Sequence, residues 1–355
     1  MHRQSRSVPL LSMIVAAIGR RLWTVPIVWA LGLMLAAAVV TGANAQVLVV
    51  LSEDWPGMRE VAAELREQLG GLRDGRLTID VVTAKRIKLD DLDIIRRSEL
   101  IIAVGVEAAR AVIDREKDLS RPPPTLCLLI PKLRFDAFVG TIPAGSERRV
   151  SAVFIDQPVA RQFNLLRLAA PTKSRIGIVL GPSSSRLQDE LRDNARERAM
   201  TLNIVIVDQP SGMFAAMQKT LSESDLFLAL PDPVTINEST AYAVLRTSYQ
   251  EQIPVAGFSE SMVRAGALFG LYSTLRQQAR QGAEIASRLL AGEAGLPPPQ
   301  YPRYFTVGVN TSVARSLGVQ LDAGAIEAAL AARERGSNPR ETRTGTEAAA
   351  PRRTP

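Results

Sequence analysis

The sequence predicts an α/β protein of two Rossmann-like lobes with parallel sheets, and three observations lead there. Short, wholly apolar runs alternate with helical patterns from Val47 onward, the order of strands joined by crossover helices. Those runs lack the apolar/polar alternation of a half-exposed strand, so both faces are expected to be covered. The stretch from Gln46 to Ala332 is also longer than one hydrophobic core usually serves, which divides it in two.

In the first lobe, Val47 to Leu51 reads as a buried strand. Met58 to Leu69 follows as a helix with Met58, Val61, Ala62, Leu65 and Leu69 on one face. Leu77 to Val82 is a strand, Leu89 to Ile95 a short helix, and Leu100 to Val104 a strand. Gly105 opens a helix from Glu107 to Glu116, and three prolines lead into a strand from Thr125 to Ile130. Val150 to Pro158 reads as the first crossing between lobes, ahead of a helix from Val159 to Leu168.

The second lobe repeats the pattern without repeating the sequence. Strands are expected at Ile176 to Leu180, Ile204 to Val207, Leu226 to Leu230, Ile253 to Phe258 and Ala267 to Tyr272. Between them lie helices at Arg186 to Met200, Met213 to Leu221, Glu238 to Gln250 and a turn at Glu260 to Arg264 capped by Ser259. Ser273 is placed to cap a long amphipathic helix, Leu275 to Ala291, ended by Gly292. A last strand, Tyr304 to Val309, and a short helix, Val313 to Leu317, capped by Asn310, complete the reading.

Charge narrows the function. The chain carries 43 Lys and Arg against 36 Asp and Glu. Four of the Arg precede Leu22, and the tail from Arg333 adds six Arg against three Glu, which leaves 33 of each sign between Gln46 and Ala332. A neutral body lacks the clustered basic footprint of a nucleic-acid binder. The tail, 333–355, is too polar to bury a core and is expected to be disordered.

The start of the chain has the form of a secretory signal, 1–45: basic residues without acids, an apolar run from Leu22 to Val40, then Ala43-Asn44-Ala45. Cleavage before Gln46 is expected, with a retained membrane anchor as the alternative. No Cys follows the run, so lipidation is excluded there. The only Cys, Cys127, lies in an apolar strand and is expected to be buried. The only His, His2, lies in the leader, so the remaining chain has neither the commonest general base nor the commonest metal ligand. No cofactor, metal or catalytic residue is expected, and the chain is read as a binding protein, not an enzyme.

Parallel sheets bind ligands at the carboxyl ends of their strands. That rule selects Ser52, Glu53, Trp55 and Gly105 in the first lobe, with Pro131 and Lys132 beside them. In the second it selects Ser183, Asp232 and Ser259, with Tyr272 at the hinge. An aromatic, two carboxylates and several hydroxyls on two rims suit a small polar solute. Plainer roles compete: Asp54, Ser185, Ser259 and Ser273 as helix caps, Pro231-Asp232-Pro233 as a rigid turn, Glu53 as a solvated charge, and Trp55 as a cover for the first helix.

The segments LPDP (230–233), IPVAGFS (253–259), AGALFGLYST (265–274) and VNTSVARSLGV (309–319) resemble the C-terminal part of the ABC-transporter substrate-binding proteins of the ABC substrate-binding family. The resemblance covers most of Gln46 to Leu321. In the first lobe the sequence departs from it: Val106 follows Gly105 where relatives have Thr, and Pro131-Lys132 replaces an Asp-Pro pair. The resemblance implies the type I periplasmic-binding-protein fold with a three-segment hinge. It implies lobes at 46–157 plus 273–300 and at 158–272 plus 301–321. It also implies a periplasmic solute-binding component of an ABC importer, with a small-molecule ligand, an inner-membrane permease as partner, and closure about the hinge. An accessory or sensory binding protein of the same fold is the alternative.

Overall fold

The computed structural model describes residues 46–89, 92–142, 149–293 and 295–337. The expected leader and the tail beyond residue 337 lie outside the described residues.

Two sheets organise the chain. The first contains β1 (Gln46–Leu51), β2 (Thr78–Thr83), β3 (Leu100–Val104), β4 (Thr125–Ile130) and β5 (Val150–Phe154) in the order β2-β1-β3-β4-β5, all parallel. The second contains β6 (Arg175–Leu180), β7 (Thr201–Ile206), β8 (Leu226–Leu228), β9 (Val255–Gly257), β10 (Phe269–Tyr272) and β11 (Thr306–Val309). Its order is β11-β10-β9-β8-β6-β7, parallel except that β11 runs antiparallel to β10. Strands β3, β4 and β8 are buried along their length because helices cover both faces; the edge strands β2 and β7 are only partly buried and carry Asp80 and Asn203.

The first sheet is wrapped by α1 (Pro56–Leu69), α2 (Ala84–Leu89), α3 (Leu92–Arg97), α4 (Val106–Glu116) and α5 (Lys132–Val139). The second has α6 (Val159–Ala169), α7 (Gln188–Glu197), α8 (Met213–Ser222), α9 (Glu238–Gln250) and α10 (Glu260–Ala265). Three later helices follow: α11 (Leu275–Leu290), α12 (Thr311–Ser316) and α13 (Ala323–Ser337). Although α11 follows β10 in sequence, it packs on α1, β4 and β5 of the first sheet. The chain therefore passes between sheets three times: after β5, after β10, and again before β11.

The apolar periodicities account for the cores. On α1, Val61, Ala62, Leu65 and Leu69 are buried, as their spacing requires. Phe163, Leu166, Ile176, Ile178, Phe269 and Leu330 share one cluster of the second lobe, and Leu48, Ile101, Val112, Cys127 and Phe135 share one of the first. Cys127 is fully buried, and burial pushes its thiol pKa far up.

Several local expectations change. Val150 to Phe154, read as the start of a crossing, is a fully buried fifth strand. Asp54 does not cap α1; it accepts from Arg59 at 2.6 and 3.0 Å, and this hydrogen bond holds its carboxyl below the usual range. Thr274, one residue after the expected Ser273, caps α11 in a reciprocal box with Gln277. The second lobe continues past residue 321 into α13, so 333–337 is helical and not tail; Glu334 there pairs with Arg161.

Candidate functional site

Both carboxyl edges lie at the crossings. The chain leaves the first sheet at the carboxyl end of β5 and the second at that of β10, and it enters β11 beside Tyr272, which pairs with Thr306. Gln300, on the way back, forms a parallel bridge with Val153. The loops after β1, β3, β4, β6, β8 and β9 therefore surround the hinge side of their sheets.

In the first lobe, Ser52 and Gly105 form one unit. The Ser52 amide donates to the Val104 carbonyl at 3.0 Å, and its Oγ accepts from the Ala108 amide at 3.0 Å, which satisfies the start of α4. Gly105 has φ 91°, and a Cβ there would fall 2.5 Å from Ser52 Oγ. Only glycine suits that position. Glu53 is exposed. Trp55 is 44% exposed, and its ring lies over Gly57 in the first turn of α1, where any Cβ would collide with it. The ring thus covers its own helix while the side chain stays partly open to solvent.

The last residues of β4 contain a bulge that the sequence did not announce. Leu129 takes φ 53°, and the register against β5 shifts there, from Leu128 opposite Val153 to Ile130 opposite Phe154. Beyond it, the Lys132 amide donates to Asp156 Oδ2 at 2.5 Å, and Lys132 Nζ pairs with Asp136. Burial raises the pKa of Asp156, opposed by its hydrogen bond from the Lys132 amide. Phe135, Phe154 and Tyr301 stack edge to face, with centroids 5.7 and 5.5 Å apart. Burial, then the negative field of Glu190, Asp156 and Asp136, pushes the Tyr301 hydroxyl up to about 12. An acid directly after the apolar run Ala152 to Ile155 was the available signal for Asp156.

In the second lobe, Asp232 corrects the sequence expectation of a rim carboxylate. It is 2% exposed and turned into the loop. Its Oδ2 accepts from Ser184 N at 2.8 Å and Ser184 Oγ at 2.9 Å, and its Oδ1 from Val234 N at 2.8 Å. Ser184 Oγ also accepts from Gly181 N at 2.9 Å, so the loops after β6 and β8 are tied through one carboxylate. Ser183, beside it, is exposed. Ser259 caps α10 by accepting from Met262 N at 3.2 Å, and its Oγ lies 3.0 Å from Ser261 Oγ. The hydroxyl of Tyr272 approaches Gly308, and burial, helped by Glu260, raises its pKa. The geometry thus joins Ser52 with Gly105, and Asp232 with Ser184 instead of Ser183. Among the described residues, no three His, Cys, Asp or Glu side chains are grouped to hold a metal ion.

Comparison with known proteins gives the architecture a family. A ligand-free, open substrate-binding protein with adhesive properties from Clostridium difficile matches with TM-score 0.63 and 18% identity over 79% of this chain and 96% of its own. The ABC domain from Streptococcus pneumoniae solved with L-Trp matches with TM-score 0.55 and 15% identity over 80% and 98%. A conserved domain protein from Vibrio cholerae matches with TM-score 0.55 and 20% identity over 80% and 98%. These likenesses establish the type I periplasmic-binding-protein fold. No curated protein matches the sequence. The family model described as ABC transporter substrate binding protein matches residues 93–331, and on that match the chain belongs to the ABC transporter substrate binding protein family.

Proposed function

We propose that this protein is the periplasmic solute-binding component of an ABC importer, and that it captures a small polar solute by closure of its two lobes. The observation that carries the reading is the family match over 93–331, combined with two parallel sheets whose carboxyl edges both lie at the crossings. A solute between those edges contacts both lobes only when they close, and this difference in contacts stabilises the closed form. In this reading 46–157 and 273–300 form one lobe; 158–272 and 301–321, extended by α13, form the other. Ser52, Glu53, Trp55, Gly105, Ser183, Ser259 and Tyr272 are the contact candidates, with Asp232 acting through loop shape instead of by contact.

The leader directs export, with cleavage before Gln46; no helix of the described residues is long and apolar enough to cross a membrane. The L-Trp complex of the Streptococcus pneumoniae relative makes amino-acid-like solutes the first class to screen. Native mass spectrometry of freshly purified protein, followed by calorimetric titration with free amino acids, tests this. One bound small molecule per chain supports it; a chain that carries none and binds none of a broad solute panel contradicts it.

A further inference from the structure

One chain of side-chain contacts passes through all three crossings. Arg161, in α6, is 6% exposed. Its guanidinium pairs with Glu334 of α13, donates to Gln157 Oε1 at 2.6 Å and to the Pro302 carbonyl at 2.9 Å, and lies 4.3 Å from the centre of the Phe305 ring. Gln157 Nε2 donates to Ser273 Oγ at 2.9 Å, and Ser273 donates to the Tyr304 carbonyl at 2.6 Å. Gln157 belongs to the first crossing, Ser273 to the second, and Pro302 to Phe305 to the third.

Burial of a charge to this degree is costly unless its donors are matched, and here the planar fork of Arg serves a carboxylate, an amide oxygen and a carbonyl while its face covers a ring. On the first-lobe side, the Phe154 carbonyl accepts from Gln278 Nε2 at 2.8 Å and the Phe154 amide donates to the Gln300 carbonyl at 3.0 Å. The first crossing is thus held to the first lobe at Phe154, at Ile155, whose amide donates to the Ile130 carbonyl at 3.1 Å, and at Asp156, which accepts from the Lys132 amide, and its second-lobe hold begins at Gln157. The third is held to the first lobe at Gln300 and by the Tyr301 ring on Phe154, and to Arg161 at the Pro302 carbonyl. The neighbouring bond from the Arg303 amide to Gln281 Oε1, 2.7 Å, fastens the third crossing to α11.

We propose that Arg161 is a positioning residue of the hinge: by fixing the second-lobe ends of all three crossings to one another and to Glu334, it makes α13 part of the pivot and sets the resting angle between the lobes. The consequence for solute capture rests on the solute-binding reading, whereas the angle itself is measurable without any solute.

Spin labels at Glu67→Cys on α1 and Arg192→Cys on α7, both exposed, report the inter-lobe distance of the full chain by pulsed electron resonance. Cys127 is fully buried and takes no label. Arg161→Met, which keeps the stem and removes the fork, is expected to shift and widen the solute-free distance distribution. Glu334→Gln should move it in the same direction. Arg175→Met, which breaks the exposed 2.7 Å pair with Asp225 in the same lobe, should leave it unchanged and serves as the control for mere destabilisation. A wild-type distribution in folded Arg161→Met overturns the proposal, and a shift in Arg161→Met with none in Glu334→Gln overturns the part given to α13. If Arg161→Met does not fold, Ser273→Ala, which cuts the side-chain link between crossings, decides by the same outcomes.

Discussion

Replacing Asp232 by Ala separates shape from contact at the second-lobe rim. The carboxylate takes three hydrogen bonds of 2.8 to 2.9 Å from Ser184 N, Ser184 Oγ and Val234 N, in a side chain only 2% exposed. Hydrogen bonds to a charged acceptor are worth about 1.5–3 kcal/mol each, and a buried donor left without a partner costs about 1–3 kcal/mol. Some of those donors regain water once the loop loosens, so the three losses do not add. A net loss of about 3–5 kcal/mol is expected, a large share of the usual stability of a domain. Asp232→Asn keeps one acceptor oxygen but turns an NH2 toward existing donors, so its loss should fall between zero and that of Ala. Urea unfolding of the whole chain measures both. Asp232→Ala within about 1 kcal/mol of wild type would refute the claim that this carboxylate organises the loops after β6 and β8.

Other outcomes follow from single side chains. Glu116 is buried against Thr125, and burial raises its pKa from 4.5 to about 7 despite that bond and the nearby Arg149. The folded state therefore holds a proton that the unfolded state releases; the associated stability is full below pH 4.5 and lost as pH rises to about 7, on the order of 3 kcal/mol, and Glu116→Gln should flatten that slope in melts taken across the range. Gly105→Ala forces φ 91° on a side chain aimed at Ser52 and should cost about 1–3 kcal/mol in denaturant unfolding. Of the three Trp, Trp23 and Trp29 precede Gln46, so from Gln46 onward Trp55 is the sole indole. A cognate solute should change its emission, and an unchanged spectrum at saturation would remove Trp55 from the site.

The order of strands and helices was legible because buried parallel strands announce themselves as uninterrupted apolar runs, and caps such as Ser259 and Asn310 need only a side-chain oxygen at the right place. Adjacent hydroxyls defeated that logic at Ser273 and Thr274, where one residue of register decides which caps α11 and which bonds the Tyr304 carbonyl. Asp232 was located at the correct strand end but assigned the wrong direction, since sequence position fixes the loop and not the side on which its donors lie. The Arg161 chain was illegible because its partners are remote in sequence; Glu334 is 173 residues away. Val150 to Phe154 passed for a linker because Ser151 interrupts its apolar run, and the burial of that serine shows only once β4 lies beside it.

Solute capture in this fold requires the two lobes to close on the bound molecule. Small-angle scattering of the solute-free protein and of the same sample saturated with a solute identified by mass spectrometry tests it most directly. A smaller radius of gyration is expected with solute bound, as both carboxyl edges come to share one ligand. Saturable binding that leaves the scattering profile unchanged would contradict it.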